Sequence, residues 1–196
     1  MKKTFAVVIA MFSMLVVMSS CSKVPQAEID AANAAIEMAR TAGADVYLPA
    51  EFAALQDSMN AVNALVETKK GKMFGGFGDV KTKLAEITQM AQTVATNTET
   101  RKVEVQAELE AAQAEVVTLV TEAKELLAKA PKGKEGKAAV EAIGSEIATV
   151  EASMTEVAPL IEQTQFMAAL DKLNAAKEKL NSIKTELQAV IEKTGK

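Results

Sequence analysis

The chain has 196 residues, a formal net charge of −4, one Cys, no His and no Trp. Without His, and with a lone Cys, it cannot assemble a Ser–His or Cys–His nucleophile, a zinc-type centre or an intramolecular disulfide. The mildly acidic balance does not attract nucleic acid or anionic lipid headgroups. Aromatic residues make up 4% of the chain and Ala is abundant, which favours helices approaching closely through small residues over a thick globular core.

The first twenty residues read as an export signal. Lys2 and Lys3 precede an apolar stretch from Phe5 to Met18 that is broken only by Ser13. That charged start, apolar run and small-residue exit is the pattern of a cleaved targeting segment, and the run falls short of the roughly 20 apolar residues that span a bilayer. It ends in Met18-Ser19-Ser20-Cys21, which resembles the lipobox of bacterial lipoproteins, with Met18 where Leu is usual. The resemblance implies cleavage after Ser20 and acylation of Cys21, with two or three acyl chains giving stable attachment. It also gives the unpaired cysteine a role. Ser22 after the cysteine, by resemblance to enteric sorting rules, implies the outer membrane, facing the periplasm. Loss of Lys2 and Lys3 takes the net charge from −4 to −6, since no acidic residue leaves with them.

Residues 21–26 form a lipidated connector whose five residues after Cys21 reach less than about 20 Å even when extended. Residues 27–70 are expected to form an N-terminal helical hairpin. Its first helix runs from about Pro25 to Arg40, with Ile29, Ala32, Ile36 and Ala39 on one face and Gly43 as its stop. A connector with Asp45, Tyr47 and Leu48 leads to Pro49, which starts a second helix to residue 70 carrying Phe52, Leu55, Met59, Val62 and Val66. Residues 71–78 hold four glycines and form a turn.

From 79 to 193 the pattern predicts a long antiparallel helical hairpin, with a turn near 131–136 and a kink near Pro159. In its first arm Val80, Leu84, Ile87, Ala91 and Val94 keep a heptad rhythm. The polar run Ala95–Lys102 interrupts it as a flexible joint or a solvent-exposed helical stretch, and Val105, Leu109, Ala112, Val116, Leu119, Ala123, Leu126 and Ala130 resume it. The second arm repeats the rhythm from Val140 to Ile161 and, in a new phase, from Leu170 to Val190. The segment from Phe52 matches that from Phe166 in five of ten positions, and the segment from Phe77 matches more weakly through Lys83 and Leu84. Ala-rich helix composition accounts for this nearly as well as a repeat does.

Together with the lipobox, the segments Ala35-Ile36-Glu37-Met38-Ala39-Arg40-Thr41-Ala42-Gly43-Ala44 and Tyr47-Leu48-Pro49-Ala50-Glu51-Phe52 resemble uncharacterised Ala-rich bacterial lipoproteins, those with the domain of unknown function numbered 4398. The likeness covers residues 21–95. It implies a periplasmic helical lipoprotein and brings no activity and no site residues.

Few side chains suggest chemistry. Gly75-Gly76-Phe77-Gly78 precedes a helix but lacks the Lys-Ser/Thr of a phosphate loop. Glu104 and Glu108, one turn apart, could share a cation, although a solvated coiled-coil flank explains them better. Met73, Phe74 and Phe77 either cap the bundle end or form a partner contact. The expectation is an all-α protein: an elongated antiparallel helical bundle or coiled-coil hairpin with a shorter N-terminal helical hairpin. It acts as a lipid-anchored envelope scaffold or adaptor, with no catalytic, metal or cofactor residues. Its partners are the membrane, through acyl chains on Cys21, and other envelope proteins, not nucleic acid. The alternative is a periplasmic carrier with an apolar groove between helices.

Overall fold

The computed structural model describes residues 23–70, 76–130 and 137–194. Every element among them is a helix: α1 (Gln26–Thr41), α2 (Ala44–Tyr47), α3 (Pro49–Lys70), α4 (Gly78–Lys129), α5 (Lys137–Met154), α6 (Val157–Glu162) and α7 (Phe166–Thr194). The protein is an all-α helical bundle. It divides into two compact units, the first ending at Thr98 and the second beginning at Glu99. The division falls inside α4, not at the glycine-rich turn that closes the expected N-terminal hairpin. A pair of Ala-rich helices leaves one apolar face open, and the first half of α4 closes it by contributing Val80, Leu84, Ile87, Ala91 and Val94 to the core of α1 and α3.

In the first unit, Arg40 at the end of α1 lies over the ring of Phe52 at the start of α3, its guanidinium 5.4 Å from the centroid. That contact sets α1 and α3 antiparallel. Lys69 at the end of α3 meets Asp79 at the start of α4 at 2.6 Å, which sets those two antiparallel as well. Glu28 near the start of α1 pairs with Lys81 near the start of α4, also at 2.6 Å, so α1 and α4 run parallel. The result is an up-down-up three-helix arrangement around fully buried Ala32, Leu55, Val80 and Leu84.

The second unit repeats that arrangement with different helices. Lys124 of α4 pairs with Glu151 of α5 at 2.6 Å, and Glu146 of α5 with Lys179 of α7 at 2.7 Å. Glu115 and Glu122 of α4 pair with Lys177 and Lys184 of α7, one heptad apart on both helices. The α4 and α7 segments are therefore parallel, with α5 antiparallel between them. Leu173, Leu180, Ile183 and Leu187 of α7 are fully buried along the shared seam. In this frame Phe77 and Phe166 both open the third helix of their unit, whereas Phe52 lies in a second helix. The stronger of the two sequence matches thus joins positions that are not equivalent.

Three segments between and within these helices show finer detail. The connector after Gly43 is not open chain, because residues 44–47 make one helical turn. Gly43 takes φ 89°, the left-handed conformation that glycine adopts without strain, and its N–H donates to the Arg40 carbonyl at 2.7 Å. The break expected near Pro159 is present, four residues ahead of it, at the turn whose carbonyl a helical residue 159 would have bonded. The helix stops after Met154 and again after Glu162, and Pro159 is the third residue of α6. There its missing N–H costs nothing, since first-turn N–H groups have no helical acceptor. The polar run 95–102 is the helical stretch of its two readings, since helix continues through it. Thr98 stands fully buried at the seam position, and its Oγ1 donates to the Val94 carbonyl at 2.7 Å.

Candidate functional site

The sequence-derived site residues divide between described and undescribed positions. Cys21, Met73 and Phe74, like the turn at 131–136, lie outside the described residues. Phe77 is described and is 6% exposed, in the core of the first unit. It therefore caps that core and is not a partner contact. Its placement follows from the chain: the heptad rhythm of α4 extended backward from Val80 reaches Phe77.

Glu104 and Glu108 do converge, but on a side chain. The Arg101 guanidinium donates to Glu108 through both terminal nitrogens, at 2.6 and 3.3 Å, and to Glu104 at 3.2 Å. The Arg101 hydrogen bond is the main reason the Glu108 carboxyl titrates below its usual range. Reciprocally, Glu108 first and Glu104 second raise Arg101 further above its own. The position a cation would take between these carboxylates is occupied by the guanidinium. Among the described residues no three His, Cys, Asp or Glu side chains gather as a metal site requires.

Two open grooves score the surface. In the second unit, a groove of about 630 Å³ lies between α4 and α5, with Val116, Val117, Val120 and Met154 as its apolar lining. The Lys124–Glu151 pair also borders it. In the first unit, a groove of about 590 Å³ lies between α3 and α4 and is lined by Ala54, Met90 and Val94 among more polar neighbours. Sequence reading had no access to the pairings that border them, because Lys124 and Glu151 come from either side of a turn.

An exposed stripe on α4 in the second unit adjoins the α4–α5 groove at Val117. Val103 and Val117 are 67% and 66% exposed, and Ala107 and Ala114 between them are exposed too. At 100° per residue these four lie within a narrow stripe on one side of the helix. It is a short second seam that no helix of the unit covers, broken at its centre by Glu110.

Charge is unevenly distributed in the first unit. Its described lysines, Lys23, Lys69, Lys70, Lys81 and Lys83, all lie near the end built from the start of α1, the end of α3 and the start of α4. Glu28, Asp30, Glu67 and Asp79 accompany them, leaving that end net positive. At the opposite end Arg40 stands against Glu37, Asp45, Glu51 and Asp57. The same polarity appears in titration. Asp79 is held below its usual range chiefly by the hydrogen bond from Lys69, and Glu28 chiefly by that from Lys81.

No described helix is long and apolar enough to cross a membrane. No family model, curated protein or solved structure matches the chain.

Proposed function

We propose that the protein is a lipid-anchored envelope scaffold or adaptor without catalytic activity, held at the membrane through acyl chains on Cys21. In this reading it belongs with the uncharacterised Ala-rich lipoproteins its N-terminal third resembles. The observation that carries it is the uncovered Val103–Ala107–Ala114–Val117 stripe on α4, beside a core otherwise closed by apolar seams. An apolar line at near-heptad spacing on the outside of a helix is what a partner helix or groove takes up.

The test has two parts. Cys21→Ser should leave the body folded and release it from the membrane fraction; continued attachment of that variant defeats the anchor. A photo-crosslinking residue at Val103, in cells making the full chain, should capture envelope proteins, and the same residue at Asp57 should capture far less. Equal yields at both positions defeat the scaffold reading.

The α4–α5 groove favours a second reading, a carrier of apolar ligands, because its volume of about 630 Å³ lies in the range that holds small molecules. A hydrophobic molecule retained through native purification, and lost on Val120→Glu, supports the carrier. An empty groove under native mass spectrometry leaves the scaffold.

A further inference from the structure

We propose that the lysine-bearing end of the first unit is a docking surface for anionic lipid headgroups, so that α1, α3 and α4 of this unit stand end-on to the bilayer. The inference rests on the lipidation of Cys21 proposed above and adds an orientation and a second, electrostatic contact to it.

The length of chain between anchor and fold carries the argument. Pro25 is already buried and Val24 packs against the core, with the Gln26 N–H donating to the Val24 carbonyl at 2.8 Å. Only Ser22 and Lys23 separate Cys21 from Val24. Three Cα–Cα steps reach at most about 11 Å. An acylated Cys21 sits at headgroup level, so the start of α1 is held within little more than a Debye length of the lipid charges, about 8 Å at physiological salt.

The topology decides what else comes with it. Because α3 is antiparallel to α1 and α4 is parallel to it, the end of α3 and the start of α4 lie at the same end of the unit as Val24. They bring Lys69, Lys70, Lys81 and Lys83 to join Lys23. The acidic end, with Glu37, Asp45, Glu51 and Asp57, is the one pointed away. The first unit thus turns toward an anionic surface the end where its five described lysines outnumber the four carboxylates beside them, and turns its more acidic end away. Basic residues next to a lipid anchor strengthen attachment in this way.

The test uses the full, acylated chain in vesicles. Thioether formation at Cys21 blocks its thiol, so an introduced cysteine is the only site for a fluorophore. Thr68→Cys places the label near the lysine end and Ala50→Cys near the other, about 27 Å apart along α3. Vesicles of phosphatidylcholine mixed with phosphatidylglycerol carry a quencher on the headgroups. The label at 68 should be quenched far more than that at 50. The contrast should shrink on pure phosphatidylcholine and again with Lys23→Glu and Lys70→Glu, since each reversal changes two charges and weakens the contact by about thirtyfold.

Acylated protein whose two labels quench alike, or whose contrast ignores lipid charge, overturns the docking surface and leaves the anchor standing. A chain whose mass shows no acyl group on Cys21 removes the anchor and this inference with it. Should a lysine variant lose its helical circular dichroism, the comparison of the two vesicle types with unreversed lysines decides the matter.

Discussion

Lys69 and Asp79 stand ten residues apart in the chain and 2.6 Å apart in space, and Lys69 also donates to the Gly76 carbonyl at 3.0 Å. One ammonium thereby ties the last turn of α3 to the first turn of α4. At the other helix pair of the same end, Lys81 holds Glu28. Both carboxyls titrate below their ordinary values, each chiefly through its lysine's hydrogen bond. A depressed folded value stabilises the fold above the ordinary carboxylate range, and that stabilisation is lost as pH falls through the lowered values. Stability should therefore hold level from neutrality down to the ordinary carboxylate range and decline below it. Chemical-denaturation midpoints measured across acid pH check this, and Lys69→Met should flatten part of the decline.

Gly144 sits inside α5 with Leu127 of α4 opposite. A Cβ placed on it would meet Leu127 Cδ2 at 3.5 Å, an ordinary contact. The glycine therefore costs helix stability without being needed for the approach. Gly144→Ala should raise stability by roughly 0.5–1 kcal/mol, or about 1–4 °C in Tm. A calorimetric scan that shows a lower Tm would mean the two helices approach more closely than this spacing.

Thr164 presents the opposite case. It has φ 57° in the turn between α6 and α7, where a β-branched residue is strained. The turn is kept because the Thr164 and Gln165 N–H groups donate to Ile161 and Leu160 carbonyls at 2.9 Å each, closing the end of α6. Thr164→Gly keeps both bonds and removes the clash between Cβ and the backbone. We expect a gain of roughly 0.5–1 kcal/mol, the relief being partly offset by the freer unfolded chain. Urea titration of the two proteins measures it.

Most of the helices were legible because each carries an apolar line at helical spacing. Phe52, Leu55, Met59, Val62 and Val66 are all buried in α3, as their spacing requires. The third dimension was less legible. Up to Thr98 the buried positions of α4 step by four and three, and that rhythm carried onward would bury Glu108, Glu115 and Glu122. Leu109, Val116 and Ala123, the positions of the resumed apolar rhythm, are buried instead, one residue later, and the three glutamates face cations, which the spacing alone did not show. This change of phase coincides with the division into units. The burial of Thr98 within the polar run was not legible, because its hydroxyl is satisfied within its own helix, which no periodicity of apolar residues reveals. The break near Pro159 was legible because the proline ring cannot follow the carbonyl four residues back, and the helix stops after Met154.

The pairing of Glu115 with Lys177 and of Glu122 with Lys184 makes the strongest claim about topology, since it requires α4 and α7 to run parallel in one register. Helices joined by a single short turn would be antiparallel; these are parallel only because α5 returns the chain between them. Lys184 keeps 23% of its side-chain surface exposed and Glu122 47%, so solvent screens the pair. Its contribution is accordingly small, on the order of 0.5 kcal/mol. Glu122→Lys should cost about that much by setting two ammonium groups together, and Lys184→Glu should cost the same. Combining the two restores the opposite charges with their places exchanged, and stability should return to within a few tenths of a kcal/mol of the starting protein. Additive losses in the double variant would mean that residues 122 and 184 do not meet, and with them would go the parallel register of α4 and α7.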